Sequence, residues 1–175
     1  MELYLKGIVH LRWLKVKNRR IQKLIIVKKK ELSQLKVREI NDDKVLKQAL
    51  KLRQEVFIKE QKVPSDLEFD GKDKEAAQFV AQLAGKVVGT CRLFVKDKAG
   101  KLERMAVIKG SRRKGVGSAL LNEVVKVAKK RNLSQLTIHA QLQVKDFYLN
   151  HGFEVISDQV FVEAGIKHVK MNMKL

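Results

Sequence analysis

Cysteine and proline are nearly missing from this 175-residue chain, each occurring once, at Cys91 and Pro64. A single thiol excludes an intramolecular disulfide, and no Cys/His pairs stand at zinc-ligand spacing. No metal is therefore expected, the chain relies on its own core, and a reducing, cytoplasmic setting follows. With proline so scarce, regular structure can run over most of the length. Aromatics make up only 6% of the residues, and there is no RNP string and no interleaving of aromatic with basic residues of the kind that RNA-binding sheets display. Long apolar runs are absent as well. A run such as Leu24-Ile25-Ile26-Val27 falls far short of a secretory h-region or a membrane span, so neither export nor spanning is expected.

Acidic residues are outnumbered two to one, 19 against 38 Lys and Arg, for a formal net charge of +19. Such an excess calls for an anionic partner, whether nucleic acid, an anionic membrane or a polyanionic cofactor, and composition alone does not choose among them. Residues 1–34 hold ten of the Lys and Arg against two Glu. Their apolar residues, Trp13, Leu14 and Ile25 among them, recur at loosely helical spacing. This stretch reads as a basic amphipathic extension appended to a single domain over residues 35–175.

Within that domain the pattern is α/β. Leu35 to Ile40 alternates as a strand, and Asn41-Asp42-Asp43 offers caps for a helix that buries Val45, Leu46, Ala49, Leu50 and Leu52. A further helical turn carries Val56, Phe57 and Ile58. Lys62 to Lys74 reads as a long acidic loop. Ala77–Leu83 and Lys86–Val95 read as a hairpin about Ala84-Gly85, and a turn at Lys98-Ala99-Gly100 leads into a strand over Leu102–Ile108. A helix runs from the following loop to about Arg131, then come a strand at Gln135–Ala140, a short helix at Val144–His151, and strands at Gly152–Ile156 and Val169–Met173.

The most telling stretch joins the strand Glu103-Arg104-Met105-Ala106-Val107 to a helix through Ser111-Arg112-Arg113-Lys114-Gly115-Val116-Gly117-Ser118. Closely spaced glycines let a ligand approach the backbone, and the unpaired N–H groups at a helix start favour phosphate. Arg112, Arg113 and Lys114 add positive charge. A Walker loop is excluded because no Gly-x-x-x-x-Gly-Lys-Ser/Thr string exists. A dinucleotide fingerprint is excluded because Leu120 and Gln135 stand where a small residue and an acid are needed.

The Arg-x-x-Gly-x-Gly spacing, entered from that strand, resembles the acetyl-CoA loop of the GNAT superfamily of N-acetyltransferases. Three further strings extend the likeness. Arg53 to Gln61 with Pro64, Glu68 and Asp70 is similar to the ElaA-like branch of that superfamily. Ala140-Gln141 with Phe147-Tyr148 and Gly152-Phe153 resembles the second half of its cofactor site. Glu163 to Met171 resembles the branch's C-terminal motif, with Lys167 where proline would stand. The resemblance implies a mixed sheet with helices on both faces, splayed between its two central parallel strands. It also implies acetyl-CoA as acetyl donor, held by Met105, Ala106, Val107 and by Arg112, Arg113, Lys114, Gly115, Val116, Gly117 and Ser118.

Acetyl transfer to an amine in a ternary complex needs a polarised carbonyl, an acid for the thiolate and a base for the amine. An amide of a bulged strand around Ala106 to Val107 would polarise the carbonyl. Tyr148, at the position of the family's Phe-Tyr motif, is the candidate acid. Glu103, two residues before Met105 and so expected on its face, is the first candidate base, with His139 or a water as alternatives. Glu60, Glu68, Asp70, Glu163 and His168 are candidate residues for the acceptor pocket, the acceptor being a small-molecule or peptide amine. Two rival functions stay open on the same fold: a nucleic-acid- or ribosome-associated module using residues 1–34, and an acetyl-CoA sensor without turnover. The oligomeric state, a homodimer included, is likewise open.

Overall fold

The computed structural model describes residues 34–157 and 159–175. The proposed basic extension, apart from Gln34, lies outside the described residues. Strand β1 (Leu35–Ile40) leads to helix α1 (Asp43–Arg53), which continues as a π-helical segment over Gln54–Glu60. Asp42 starts α1 by accepting from the N–H of Lys44 at 2.7 Å and of Val45 at 3.4 Å, which satisfies donors that the first turn leaves open. A single helical turn α2 (Ser65–Glu68), then β2 (Ala77–Leu83), β3 (Lys86–Lys96) and β4 (Ala99–Val107) follow. Helix α3 (Val116–Lys130), β5 (Gln135–Gln141), α4 (Lys145–Leu149), β6 (Glu154–Val155), β7 (Phe161–Glu163) and β8 (Ile166–Lys174) complete the order.

The strands form one eight-stranded sheet in the order β1-β2-β3-β4-β5-β8-β6, with β7 also on β8. All neighbours are antiparallel except β4 and β5. The β2–β3 hairpin turns on Ala84 and Gly85, both at positive φ, the geometry that matches the twist of the flanking strands.

Side chains divide between the two faces by strand parity. Cys91, Leu93, Leu102, Leu136, Ile138 and Ala140 pack with Val116, Leu120, Val124 and Ala128 of α3. Val80 packs with Val45 and Ala49 of α1, and Ala106 with Leu52, Val56 and Phe57 of the same helical run. Close approach of α3 depends on Gly89, where an added Cβ would lie 2.9 Å from Leu120 and 3.0 Å from Val116.

The α1 face carries a layer of charge. Arg53 and Arg92 are 1% and 0% exposed, and Glu68 is 1% exposed. Arg53 pairs with Glu68 and, at 2.5 Å, with Asp73. Arg92 donates to both carboxylate oxygens of Asp70 at 2.9 and 2.6 Å, to Asp73 at 3.1 Å and to Glu103 at 2.9 Å, and it lies 4.9 Å over the Phe94 ring. The segment read as an acidic loop is therefore folded inward. Glu68 and Asp70, expected to line the acceptor pocket, instead neutralise buried arginines, because a desolvated guanidinium needs a carboxylate at hydrogen-bond distance.

Removing one partner of such a cluster leaves the other charges buried and uncompensated. Arg92→Met should lower unfolding stability by about 3–5 kcal/mol at neutral pH, measured by denaturant melts. The Arg92 guanidinium holds Asp70 well below the usual carboxylate range. A lowered native pKa stabilises above the unfolded value near ~4 and is lost as pH falls through the native one. The gap between wild type and Arg92→Met should accordingly shrink as pH drops below about 4. A gap that stays constant with pH would contradict this.

Candidate active site

Strands β4 and β5 pair only from Ala99↔Gln135 to Leu102↔Ile138. Beyond Leu102 they part, and the cause is written into β4. Arg92↔Glu103 and Thr90↔Ala106 are successive same-face pairs, so two residues of β4, Arg104 and Met105, stand opposite the single Cys91. Arg104 takes a left-handed φ of 52°, and its guanidinium is tied down by Leu67 O at 2.6 Å and by the Glu68 carboxylate at 2.9 Å. A bulge of this kind bends the strand and ends pairing on one side. It lies at Arg104–Met105, two residues ahead of the expected place.

The same inserted residue reverses parity. Glu103 and Ala106 face α1, whereas Met105 faces α3 and α4. The expectation that Glu103 and Met105 share a face is thus corrected: period-two alternation fails across a bulge. Glu103 is bound by Arg92 and, at 2.7 Å, by Lys101. Burial pushes its carboxyl up, but these two cations outweigh burial and hold it below the ordinary value.

The backbone of β4 directs a donor at the gap. Ile108 N–H donates to Val88 O at 3.0 Å, so alternation turns Ala106 N–H toward β3 and Val107 N–H toward the open side. Val107 O, on the same side, accepts from Arg112 Nε at 2.8 Å. On the α3 side Tyr148, buried, places its hydroxyl 3.4 Å from Met105 Sδ, with Phe147 and Phe153 edge-on to its ring. Burial raises its pKa, and the nearby Cys91 thiol adds to the shift, so the phenol keeps its proton throughout the neutral range.

At the start of α3 the loop takes left-handed φ at Arg113 (57°) and Gly115 (80°), and no side chain caps the helix. The first intrahelical bond is Ala119 N–H to Gly115 O at 2.9 Å. That leaves the N–H groups of Val116, Gly117 and Ser118 without intrahelical acceptors, beside exposed Arg113, Lys114 and Gly115. A Cβ at Gly117 would lie 3.4 Å from Phe147 and 3.6 Å from Met105, so a larger side chain would fill the mouth of the gap at this point. These groups fit a pyrophosphate. Arg112 does not join them: it makes a bidentate pair with Glu60 at 2.5 and 2.7 Å. Two residues expected at separate subsites thus bind each other, and their pairing lowers the Glu60 pKa.

On the α1 face of β5, His139 Nδ1 lies 3.0 Å from Glu163 Oε2. Phe161 packs edge-on to His139 and stacked on His168. His168 is buried, its Nδ1 2.8 Å from Ile166 O, and its ring braces Phe161. Sequence reading missed Phe161 and the Gln141 Nε2 to Gln61 Oε1 bond of 2.8 Å that links β5 to the π-helical segment. Beside that bond Gln61, Leu142, Gln143, Gly165, Ile166 and Lys167 line an open concavity of about 610 Å³. The pairing of β5 with β8, which sets Gln141 opposite His168, and the β7–β8 turn bring these residues together.

Comparison with known proteins agrees with this geometry. Residues 32–175 match the acetyltransferase (GNAT) domain family. The chain is 39% identical over 130 residues to the uncharacterized N-acetyltransferase YjcF of Bacillus subtilis strain 168, a match covering 74% of this chain and 93% of that protein. A Lactobacillus plantarum structure assigned to the N-acetyltransferases superposes with a TM-score of 0.75 at 28% identity, over 81% of this chain and 98% of that one. Escherichia coli ElaA shares the fold with a TM-score of 0.72 at 21% identity, over 79% and 99% of the two chains. A family match of this extent, on a sheet that parts beyond Leu102 and Ile138, means that the chain belongs to the GNAT acetyltransferase family.

Proposed function

We propose that this protein transfers an acetyl group from acetyl-CoA to a primary amine by direct attack, with both substrates bound at once. The observation that carries this reading is the parting of β4 from β5 with Val107 N–H on one wall and the Tyr148 hydroxyl on another. Acetyl-CoA supplies the activated thioester. The amides of Val116, Gly117 and Ser118, with Arg113 and Lys114, would hold its pyrophosphate, while Met105 and Val107 line the path of its arm. Val107 N–H is placed to stabilise the oxygen that gains charge during attack, a contribution of about 2.7–4 kcal/mol for one such donor. Tyr148 retains its proton at neutral pH and donates it to the departing sulfur.

Arg112, Glu60, Glu68, Asp70 and Glu103 hold the scaffold rather than the substrates, since each is engaged by an opposite charge. The strings at 53–61 and 163–171 support a finer placement in the ElaA-like branch.

The direct test is free-thiol release from acetyl-CoA against a panel of primary amines, with no release for any amine contradicting the proposal. Tyr148→Phe keeps the ring and its packing, so turnover should fall by roughly 10²-fold while acetyl-CoA affinity, read by calorimetry, changes little. Wild-type turnover in that variant would remove Tyr148 from the chemistry. Gly117→Val should abolish acetyl-CoA binding without a large change in melting temperature, and unchanged affinity in the folded variant would contradict the placement of the pyrophosphate.

A further inference from the structure

An alkylammonium acceptor must lose two protons to become an amide nitrogen, and the carboxylate nearest the gap on β4 is poorly suited to take the first. Glu103 is held in its ionised form by Arg92 and Lys101, which makes it a weak base. The next position beyond the last β4–β5 pair on the other strand is His139. It projects to the same α1 face as Glu103, opposite the face that carries Met105 and Tyr148.

We propose that His139, oriented by Glu163, is the group that deprotonates the acceptor amine on the α1 side of the sheet while Tyr148 serves the sulfur from the α3 side. The inference rests on the acetyl-transfer reading given above. Glu163 accepts from His139 Nδ1 at 3.0 Å, which fixes the ring and leaves Nε2 as the proton acceptor. Phe161, 4.9 Å away and edge-on, blocks rotation of the ring. The charged and titratable groups around it are Glu163 on β7, Lys170 directly opposite on β8, His168 beyond Phe161, and Glu103 across the gap.

The protons balance as follows. His139 Nε2 takes one proton from the ammonium group and frees the nitrogen lone pair. That pair forms the C–N bond to the acetyl carbon, the C–S pair leaves with the sulfur, and the sulfur takes the Tyr148 proton. The second nitrogen proton restores Tyr148, and the imidazolium returns its proton to solvent. Glu163 is a positioning residue in this scheme.

The test is the pH–rate profile of His139→Gln and Glu163→Gln with acetyl-CoA and the panel amine turned over fastest by the wild type. His139→Gln should lose about 10²-fold near neutral pH. The deficit should close as pH approaches the amine pKa, about 10.4 for a lysine-like amine, because solvent then supplies free amine. Glu163→Gln should show a smaller loss that closes in the same way, and acetyl-CoA affinity should be unchanged in both variants. A deficit independent of pH, or none at all, in folded His139→Gln would overturn the proposal. Should that variant not fold, Glu163→Gln carries the same criterion. Absence of wild-type thiol release with every amine overturns the acetyl-transfer reading itself, and shows before any variant is made.

Discussion

One inserted residue in β4 organises the site. By placing Arg104 and Met105 opposite Cys91 alone, the bulge ends the parallel pairing with β5, opens the gap and reverses the facing of the strand. Val107 N–H is left directed at the gap, Met105 is brought under Tyr148, and Glu103 is turned to the other side. A left-handed arginine is an uncommon choice for such a position. It is held there because its guanidinium binds the α2 turn through Leu67 O and Glu68.

The buried charges on the α1 face are the other half of that arrangement. Arg53, Arg92 and Arg104 meet Glu68, Asp70, Asp73 and Glu103, so the segment after the π-helical run is anchored onto β3 and β4 where an apolar layer would allow sliding. Such pairs contribute little net stability over hydrophobic packing, yet their directional bonds fix one register. The acids of this segment offer little free charge to a cationic acceptor. On the acceptor side the chemistry shifts instead to the His139–Glu163 pair and the amides of Gln61 and Gln141.

Much of the scaffold was legible in the sequence. Alternation located β1, β2, β3 and β5 to within a residue or so at each end, and the helical period gave α1 and α3. The glycine-bearing loop also lies where Arg-x-x-Gly-x-Gly placed it. The resemblance implied a bulge around Ala106 to Val107, but its place at Arg104–Met105 was not legible, because Glu103-Arg104-Met105 carries no break in polarity that would mark an extra residue, and the error about Glu103 followed from that. β7 was missed because three residues, one of them Val162 at 67% exposure, give no periodicity to read. The inward turn of Glu68 and Asp70 depends on three arginines distant in the chain, Arg53, Arg92 and Arg104, and the sequence shows only acids near a proline and a glycine.

The central claim is that the gap between β4 and β5, with the uncapped start of α3, receives the acetyl donor. Amide hydrogen exchange with and without acetyl-CoA tests it most directly, since the donors involved are backbone N–H groups. Slowed exchange concentrated at Met105–Val107 and Arg113–Ser118 is the predicted result. Unchanged exchange in both segments at saturating acetyl-CoA would contradict the account.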